Sequence, residues 1–428
     1  MKDDTRPPRR ADTRALPGRT PLPAEGVGIT VVGVGADGWS GLPERLRALV
    51  LEAEVVLGGH RHLSMLPESS GQRREPWPSP LREGLPDLLA SLDGARTVAL
   101  ASGDPLVSGI GTTLIDALGP EAVRLEPAVS SVALARARMG WPAERCAVVS
   151  LVGRDPRPLL RRLAPGRRVL VLSSDADTPA TVAGMLIGAG YGESRMTVLG
   201  DLGAPSESRL EGTAEGWASI PVEKVSALHV LALELAGPIG YGLVTGLPDD
   251  AFEHDGQLTK RDLRASALAR LAPSPGQHLW DVGAGAGSIG VEWMRAHPTC
   301  SADAVEANAD RAARIERNAG RLGVPGLRVV TGRAPEALGD LARPDAVFVG
   351  GGATRPGVLE ACLDALSPGG RLVVHGVTLE TEALLADARR RHGGELTRIQ
   401  VETAAPVGTF TGWTPARTVT QWALTVDP

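Results

Sequence analysis

The stretch WDVGAGAGSIGVEW, Trp280 to Trp293, ends an apolar run at Asp281 and then places glycines at Gly283, Gly285, Gly287 and Gly290. This reads as a strand, a glycine-rich turn and a helix. Such a turn lets a ligand approach the backbone, and the helix N-terminus favours negative charge. Gly285, Gly287 and Gly290 satisfy the dinucleotide pattern G-x-G-x-x-G. Gly283, Gly285 and Gly287, with Ala284 and Ala286 between them, equally satisfy the G-x-G-x-G turn of S-adenosylmethionine enzymes. The turn alone leaves both open, together with a tight packing turn that holds nothing.

Neighbouring residues tilt the choice towards S-adenosylmethionine. Asp281 stands directly before the turn, where it could fix the loop or meet the amino group of a methionine portion. Glu306 ends the next strand candidate and could accept two ribose hydroxyls, although dehydrogenases place an acid similarly. LSPGGRLVV at 366–374 is a Pro-Gly-Gly turn feeding a strand, as in class I methyltransferases. Methyl transfer from a sulfonium needs alignment more than acid–base chemistry, so binding residues are expected and not a catalytic triad.

The first half carries weaker signals of the same kind. VVGVGADGW at 31–39 puts Gly33 and Gly35 after a strand. ASGDPLVSGIG at 101–111 puts Gly103 and Asp104 at a strand end, and EPAVSSVALARARMGW at 126–141 puts Ser130 and Ser131 at a helix start. Singly, Asp37 and Asp104 suit turns and the serines suit a helix cap. His60 and His62 in GGHRHL could line the first cleft or lie in a loop. DDAFEHD at 249–255 matches no rigid ligand set, so no metal is expected.

The elements that must position these residues alternate. Strand candidates at 28–35, 53–59, 96–105, 146–153, 168–174 and 228–235 are separated by helical patterns such as 42–53 and 178–190. AGPIGYGLVTGLPDDAFEHDGQ at 236–257 is rich in Gly, Pro and Asp and marks a linker. A helix over 258–272 follows, with Thr259 as N-cap and Asp262 in a capping-box-like position. Strands are then expected at 277–282, 302–306, 327–331, 345–349, 371–375, 395–401 and 418–426. TAAPVGTFTGW joins the last two without a helix, which predicts an antiparallel final pair on a mostly parallel sheet. Seven strands of this kind are the architecture of class I methyltransferases.

Composition narrows the classes. The 428 residues allow two or three domains, and 43% apolar with 22% charged residues is ordinary for a globular protein. A net charge of -5 argues against a protein built to bind nucleic acid. Cys146, Cys300 and Cys362 are few and far apart, which suits a reducing cytoplasm. No run is long enough to span a membrane. Residues 1–27 lack a signal-peptide core and are expected to form a disordered extension.

Taken in order, the first-half motifs resemble the tetrapyrrole (cobalamin precorrin) methyltransferase fold, in which the cofactor binds between two α/β lobes. The whole chain from about Gly28 resembles the fused precorrin-6B C5,15-methyltransferase (decarboxylating) family. GLPDDAFEHDGQLTKRDLR at 246–264, LWDVGAGAGSIGVEWMRAHP at 279–298, GRAPEAL, DAVFVGGG, GELTRIQ and GTFTGWTPARTVTQWAL carry that resemblance. One departure is VVHGVTLE at 373–380, where Asn-Ala is expected in place of His375-Gly376, so no family role passes to His375.

The resemblance implies an α/β chain with a tetrapyrrole methylase fold at 28–237, a linker at 238–257 and a class I Rossmann-like seven-strand domain at 258–428. It implies C5 methylation in the first half, and C15 methylation with loss of the C12 acetate carboxyl in the second. S-adenosylmethionine would meet Thr259, Gly283 through Gly287, Glu306 and the turn at Gly332–Ala334, and in the first half Gly33, Gly35, Gly103, Asp104, Ser130 and Ser131. Arg261, Arg264, Arg333 and Arg355 are candidate holders of substrate carboxylates. A homo-oligomer in the cytoplasm, acting on a precorrin with no metal, completes the expectation. Other readings are a class I methyltransferase on another substrate fused to a non-catalytic tetrapyrrole-binding domain, a class I methyltransferase on RNA or protein fused to an unrelated domain, and a non-catalytic tetrapyrrole carrier or scaffold.

Overall fold

The computed structural model describes residues 28–68, 71–92, 94–217 and 219–427. The expected extension at 1–27 lies outside them. The chain forms two compact units, one up to Ala133 with Gly203–Pro205, the other Leu134–Leu202 with everything from Ser206.

The first unit holds strands β1 (Ile29–Val34), β2 (Val55–Gly58), β3 (Arg73–Pro76), β4 (Thr97–Ser102) and β5 (Val123–Glu126). They make one sheet in the order β3-β2-β4-β1-β5, and every recorded pairing is parallel. β1, β2 and β4 are nearly continuous apolar runs because helices cover both faces of such a sheet. The sequence pattern misses β3 and β5, four-residue edge strands in which three and two residues, respectively, are charged.

The second unit contains a five-stranded sheet, a seven-stranded sheet and a two-stranded hairpin. β6 (Cys146–Ser150), β7 (Arg168–Leu172), β8 (Arg195–Gly200), β9 (Ser208–Thr213) and β10 (His229–Glu234) are ordered β6-β7-β10-β8-β9. The seven-stranded sheet holds β11 (His278–Val282), β12 (Ser301–Glu306), β13 (Arg328–Thr331), β14 (Ala346–Val349), β15 (Arg371–Gly376), β16 (Glu395–Ile399) and β19 (Val419–Thr425). Its order is β13-β12-β11-β14-β15-β19-β16. β19 runs antiparallel to both β15 and β16, as the helix-free connection predicts. That connection is itself a hairpin, β17 (Glu402–Val407) with β18 (Phe410–Pro415), which the sequence reading left unassigned.

The expected linker is exposed at its start but packed from Leu247 onward. Leu247, Ala251 and Phe252 sit in the core of the seven-strand sheet with Leu268, Leu271 and Trp293. Its acids are spent on arginines. Glu253 pairs with Arg317 at 2.7 Å, and Asp255 with Arg311 at 2.9 Å and Arg314 at 3.2 Å. The segment is therefore a strap across the helix Ala309–Arg321. The next helix runs from Arg261 to Leu271, shorter than expected, and its N-cap is Lys260 without a side-chain cap. Thr259 is not the cap: it lies before that turn, and its carbonyl accepts from the Arg264 guanidinium.

No helix of the described residues is long and apolar enough to cross a membrane.

Candidate active site

The glycine turn follows β11 at the carboxyl edge of the sheet, the edge where α/β sheets bind ligands. Gly283 and Gly285 have left-handed φ values of 68° and 61°. A Cβ at Gly283 would fall 2.8 Å from the Gly351 carbonyl oxygen, and one at Gly285 would fall 2.8 Å from the Gln257 carbonyl oxygen. Glycine thus allows both the turn and the close approach of two neighbouring loops.

Glu306 ends β12 and is buried. Its Oε2 accepts from the Gly285 N–H at 2.8 Å and its Oε1 from the Asn308 N–H at 3.0 Å. A carboxylate offers about four acceptor sites, so two remain for hydroxyls.

These residues open onto a cavity of about 780 Å³, a volume within the range of small-molecule sites. Thr259, Gly283, Ala284, Gly285, Glu306, Gly332, Arg333, Ala334 and Arg355 all line it. The acceptor-rich carboxylate beside open backbone suits a nucleoside ribose, so the residues fit the expected cofactor.

Several expected contacts are corrected. Asp281 does not line the cavity. It is fully buried beneath the turn, and its Oδ2 accepts from the Gly290 N–H at 2.9 Å. It fixes the helix Ser288–Ala296 against β11, the first of its two expected roles. Ala286 is buried, with its carbonyl accepting from Asn318 Nδ2 at 3.0 Å. Gly287 packs against Ile315, where a Cβ would come within 2.6 Å. Arg261 turns to the Gly246 carbonyl at 2.8 Å. Arg264 is completely buried and ion-paired to Glu292 at 2.5 Å, so it holds no substrate carboxylate.

The cavity also recruits residues that the sequence reading passed over. Lys260, Arg311 and Arg417 add positive charge, and Gly350, Gly351, Gly352 and His375 add wall. Gly350–Gly352 were quoted within DAVFVGGG, a glycine run after a strand, and that signal was readable. Arg417 and Glu306 line the same cavity from positions more than a hundred residues apart, which no local pattern announces.

Burial pushes the Asp281 carboxyl up to about 7, with the nearby Glu306 charge adding to it against the Gly290 hydrogen bond. An acid whose folded pKa lies above its unfolded value of about 4 binds protons more tightly when folded. Stability should therefore fall as pH rises from about 4 to about 7 and then level off. Asp281→Asn should flatten that slope in urea unfolding at a series of pH values, and an unchanged slope would assign it to another group.

In the first unit three loops meet at the carboxyl ends of β1, β4 and β5. Gly33 admits the Gly103 carbonyl and the Ala128 N–H, where a Cβ would come within 1.9 Å and 2.6 Å. Gly35 lies two residues further on, close against the Asp37 carboxylate. Gly103 donates to the Val34 carbonyl at 2.9 Å, and Asp104 Oδ1 accepts from Leu106 N–H at 2.9 Å in a turn. Ser130 Oγ accepts from Ala133 N–H at 3.2 Å as a cap, and Ser131 starts the helix. His62 is buried beside Arg61 at 2.9 Å and Ser102 at 3.2 Å, while His60 is exposed. Burial, then the Arg61 charge, bring the His62 imidazole down to about 4.

Residues 28–217 match the Tetrapyrrole (Corrin/Porphyrin) Methylases, and residues 250–426 match the Precorrin methyltransferase domain. A Sinorhizobium protein named precorrin-6Y C(5,15)-methyltransferase [decarboxylating] is 46% identical over 401 residues, covering 93% of this chain and 96% of the relative. The chain belongs to the precorrin-6Y C5,15-methyltransferase (decarboxylating) family. That family consists of S-adenosylmethionine-dependent C-methyltransferases. Partial relatives carry single activities in their names. A Salmonella typhimurium cobalt-precorrin-7 C(5)-methyltransferase is 31% identical, covering 46% of this chain and 93% of its own. A Saccharolobus solfataricus protein named probable cobalt-precorrin-6B C(15)-methyltransferase (decarboxylating) is 31% identical, covering 32% and 73%.

Proposed function

We propose that the chain methylates a precorrin macrocycle at C5 and C15 and removes the carboxyl of its C12 acetate, with the two chemistries divided between its two glycine-turn sites. The observation that carries this is the Glu306–Gly285 carboxylate and turn, opening onto a cavity ringed by cations, in a chain whose relative aligns over 93% of it. The existence of relatives named for one activity each supports the division.

S-adenosylmethionine, when bound, supplies an electrophilic methyl group on a sulfonium. The protein's part is placement. Glu306 accepts the ribose hydroxyls, Thr259 and the backbone of Gly283–Gly285 flank the cofactor, and Gly332–Ala334 closes the side over β13. Such positioning contributes several kcal/mol in general. Arg333 and Arg417 are exposed, with no side-chain partner among the described residues, and Arg355 is half-exposed in a 3.0 Å pair with Glu336. Guanidinium groups of this kind suit the many carboxylates of a precorrin. In the first unit the loops at Gly33–Gly35, Gly103–Asp104 and Ser130–Ser131 are the second cofactor site, serving C5.

The test is incubation of the whole chain with the reduced precorrin and S-adenosylmethionine, followed by mass spectrometry. The expected product gains two methyl groups and loses one CO₂. A product methylated without CO₂ loss, or no methylation, would defeat the reading.

A further inference from the structure

His375 ends β15 on the cavity wall, directly opposite Gln421 of β19. Gln421 is fully buried and has two polar neighbours, His375 and Arg270. Arg270 can only donate, so it fixes the carboxamide. The Gln421 oxygen faces Arg270, 3.0 Å from Nε and 3.3 Å from Nη1, and its NH₂ donates to His375 Nε2 at 2.9 Å. Arg270 is held from its other side by Glu395 at 2.8 Å and 3.1 Å.

With Nε2 accepting, a neutral ring carries its proton on Nδ1. The Phe348 ring meets the imidazole edge-on at 5.0 Å and fixes its plane. His375 lines the cavity, and its Nδ1–H is the ring donor left without a protein partner among the described residues. Burial, with Arg270 close by, brings the imidazole down to about 4, so it stays neutral at ordinary pH.

Its place in the sheet separates it from the cofactor's ribose. Glu306 tops β12 and His375 tops β15, with β11 and β14 between them. Three strand spacings put them roughly 14 Å apart. His375 therefore lies on the substrate side of the glycine turn.

Resting on the function proposed above, we infer that the Nδ1–H of His375 seats the acetate carboxylate that departs as CO₂. A carboxylate that must surrender its charge gains nothing from a cation, because an ion pair made in the ground state is lost as the charge moves into the ring. A neutral donor orients the group without that stabilisation. The lysine and arginines at the cavity mouth suit the carboxylates that stay. In the step, the bond between the methylene and carboxyl carbons breaks, and its electron pair enters the conjugated ring system. CO₂ leaves, and a proton from water ends on the methylene carbon to make a methyl group.

The experiment uses the whole chain, the reduced precorrin and S-adenosylmethionine, with CO₂ and methyl groups counted separately. His375→Ala should lower CO₂ released per C15 methyl by about tenfold or more, the scale of a misplaced reacting group. His375→Asn, which restores a donor, should recover most of it, and His375→Phe serves if the alanine variant does not fold. Nitrogen-15 resonances of the imidazole should show the proton on Nδ1 in the parent and on Nε2 in Gln421→Glu. Parental CO₂ stoichiometry in His375→Ala, or an Nε2 proton in the parent, would overturn the inference. A parent that acts on no precorrin would instead remove the proposed function, with the ring's tautomer still read independently.

Discussion

Arg264→Ala is expected to destabilise the second unit by about 3–5 kcal/mol, the cost of stranding a buried charge. Glu292 is 2% exposed, and Arg264 is its buried counter-ion at 2.5 Å. The remaining partners of Glu292 are the Gly246 N–H at 2.6 Å and the Leu247 N–H at 3.0 Å. Arg264 also donates to the carbonyls of Leu247 and Thr259, reaches Asp249 at 3.3 Å, and stacks over Phe252 at 4.8 Å. One side chain thus ties the strap to the helices Arg261–Leu271 and Ser288–Ala296. The strap continues into Gly256–Lys260, which walls the cavity. The same variant should therefore weaken cofactor binding, although Arg264 touches no ligand.

A double replacement separates the two effects. Arg264→Met with Glu292→Leu removes both charges, and apolar replacement of a buried pair is often neutral or stabilising. Its unfolding midpoint should recover towards the parent, while the unbonded Leu247 and Thr259 carbonyls leave the strap loose and cofactor affinity low. Unfolding in urea and titration calorimetry measure the two quantities. A single Arg264→Ala variant within about 1 kcal/mol of the parent would show that Glu292 is relieved some other way.

Arg264 also shows where sequence reading stops. Its motif was legible, but its role at the opening was not, because helical spacing says which residues share a face and not which face is covered by a distant strap. Glu306 and the turn were legible for the opposite reason. A strand end, a glycine turn and an acid at the next strand end are local signals with a fixed spatial consequence in a parallel sheet. The central strands of the seven-strand sheet were legible as buried apolar runs, whereas β3, β5, β9 and the β17–β18 hairpin lie at edges or in solvent; β8 is buried between β10 and β9 and was missed all the same. Thr259 was read as a cap from its type and from Asp262 three residues on, and as a cofactor neighbour from the resemblance; the helix starts one residue later than the cap reading needs, and Thr259 lines the cavity.

Glu306→Ala is expected to abolish one of two cofactor-binding events. The carboxylate does two things at once. It holds the turn through Gly285 N–H and the next helix through Asn308 N–H, at 2.8 Å and 3.0 Å. In the proposed site its remaining acceptors would take the ribose hydroxyls. Losing charge-assisted bonds to two hydroxyls costs about 2–3 kcal/mol, roughly a hundredfold in affinity. Two stranded N–H groups in the turn add to that by loosening the site before anything binds. Glu306→Gln keeps an acceptor but brings a donor towards one of the two N–H groups, so it should fall between. Calorimetric titration of the whole chain with S-adenosylmethionine or its demethylated product decides the matter, because the proposed first-unit site would supply an internal standard. The event that vanishes should take C15 methylation and CO₂ release with it. A folded Glu306→Ala chain that keeps both binding events at parental affinity would remove Glu306, and the cavity it lines, from the cofactor site.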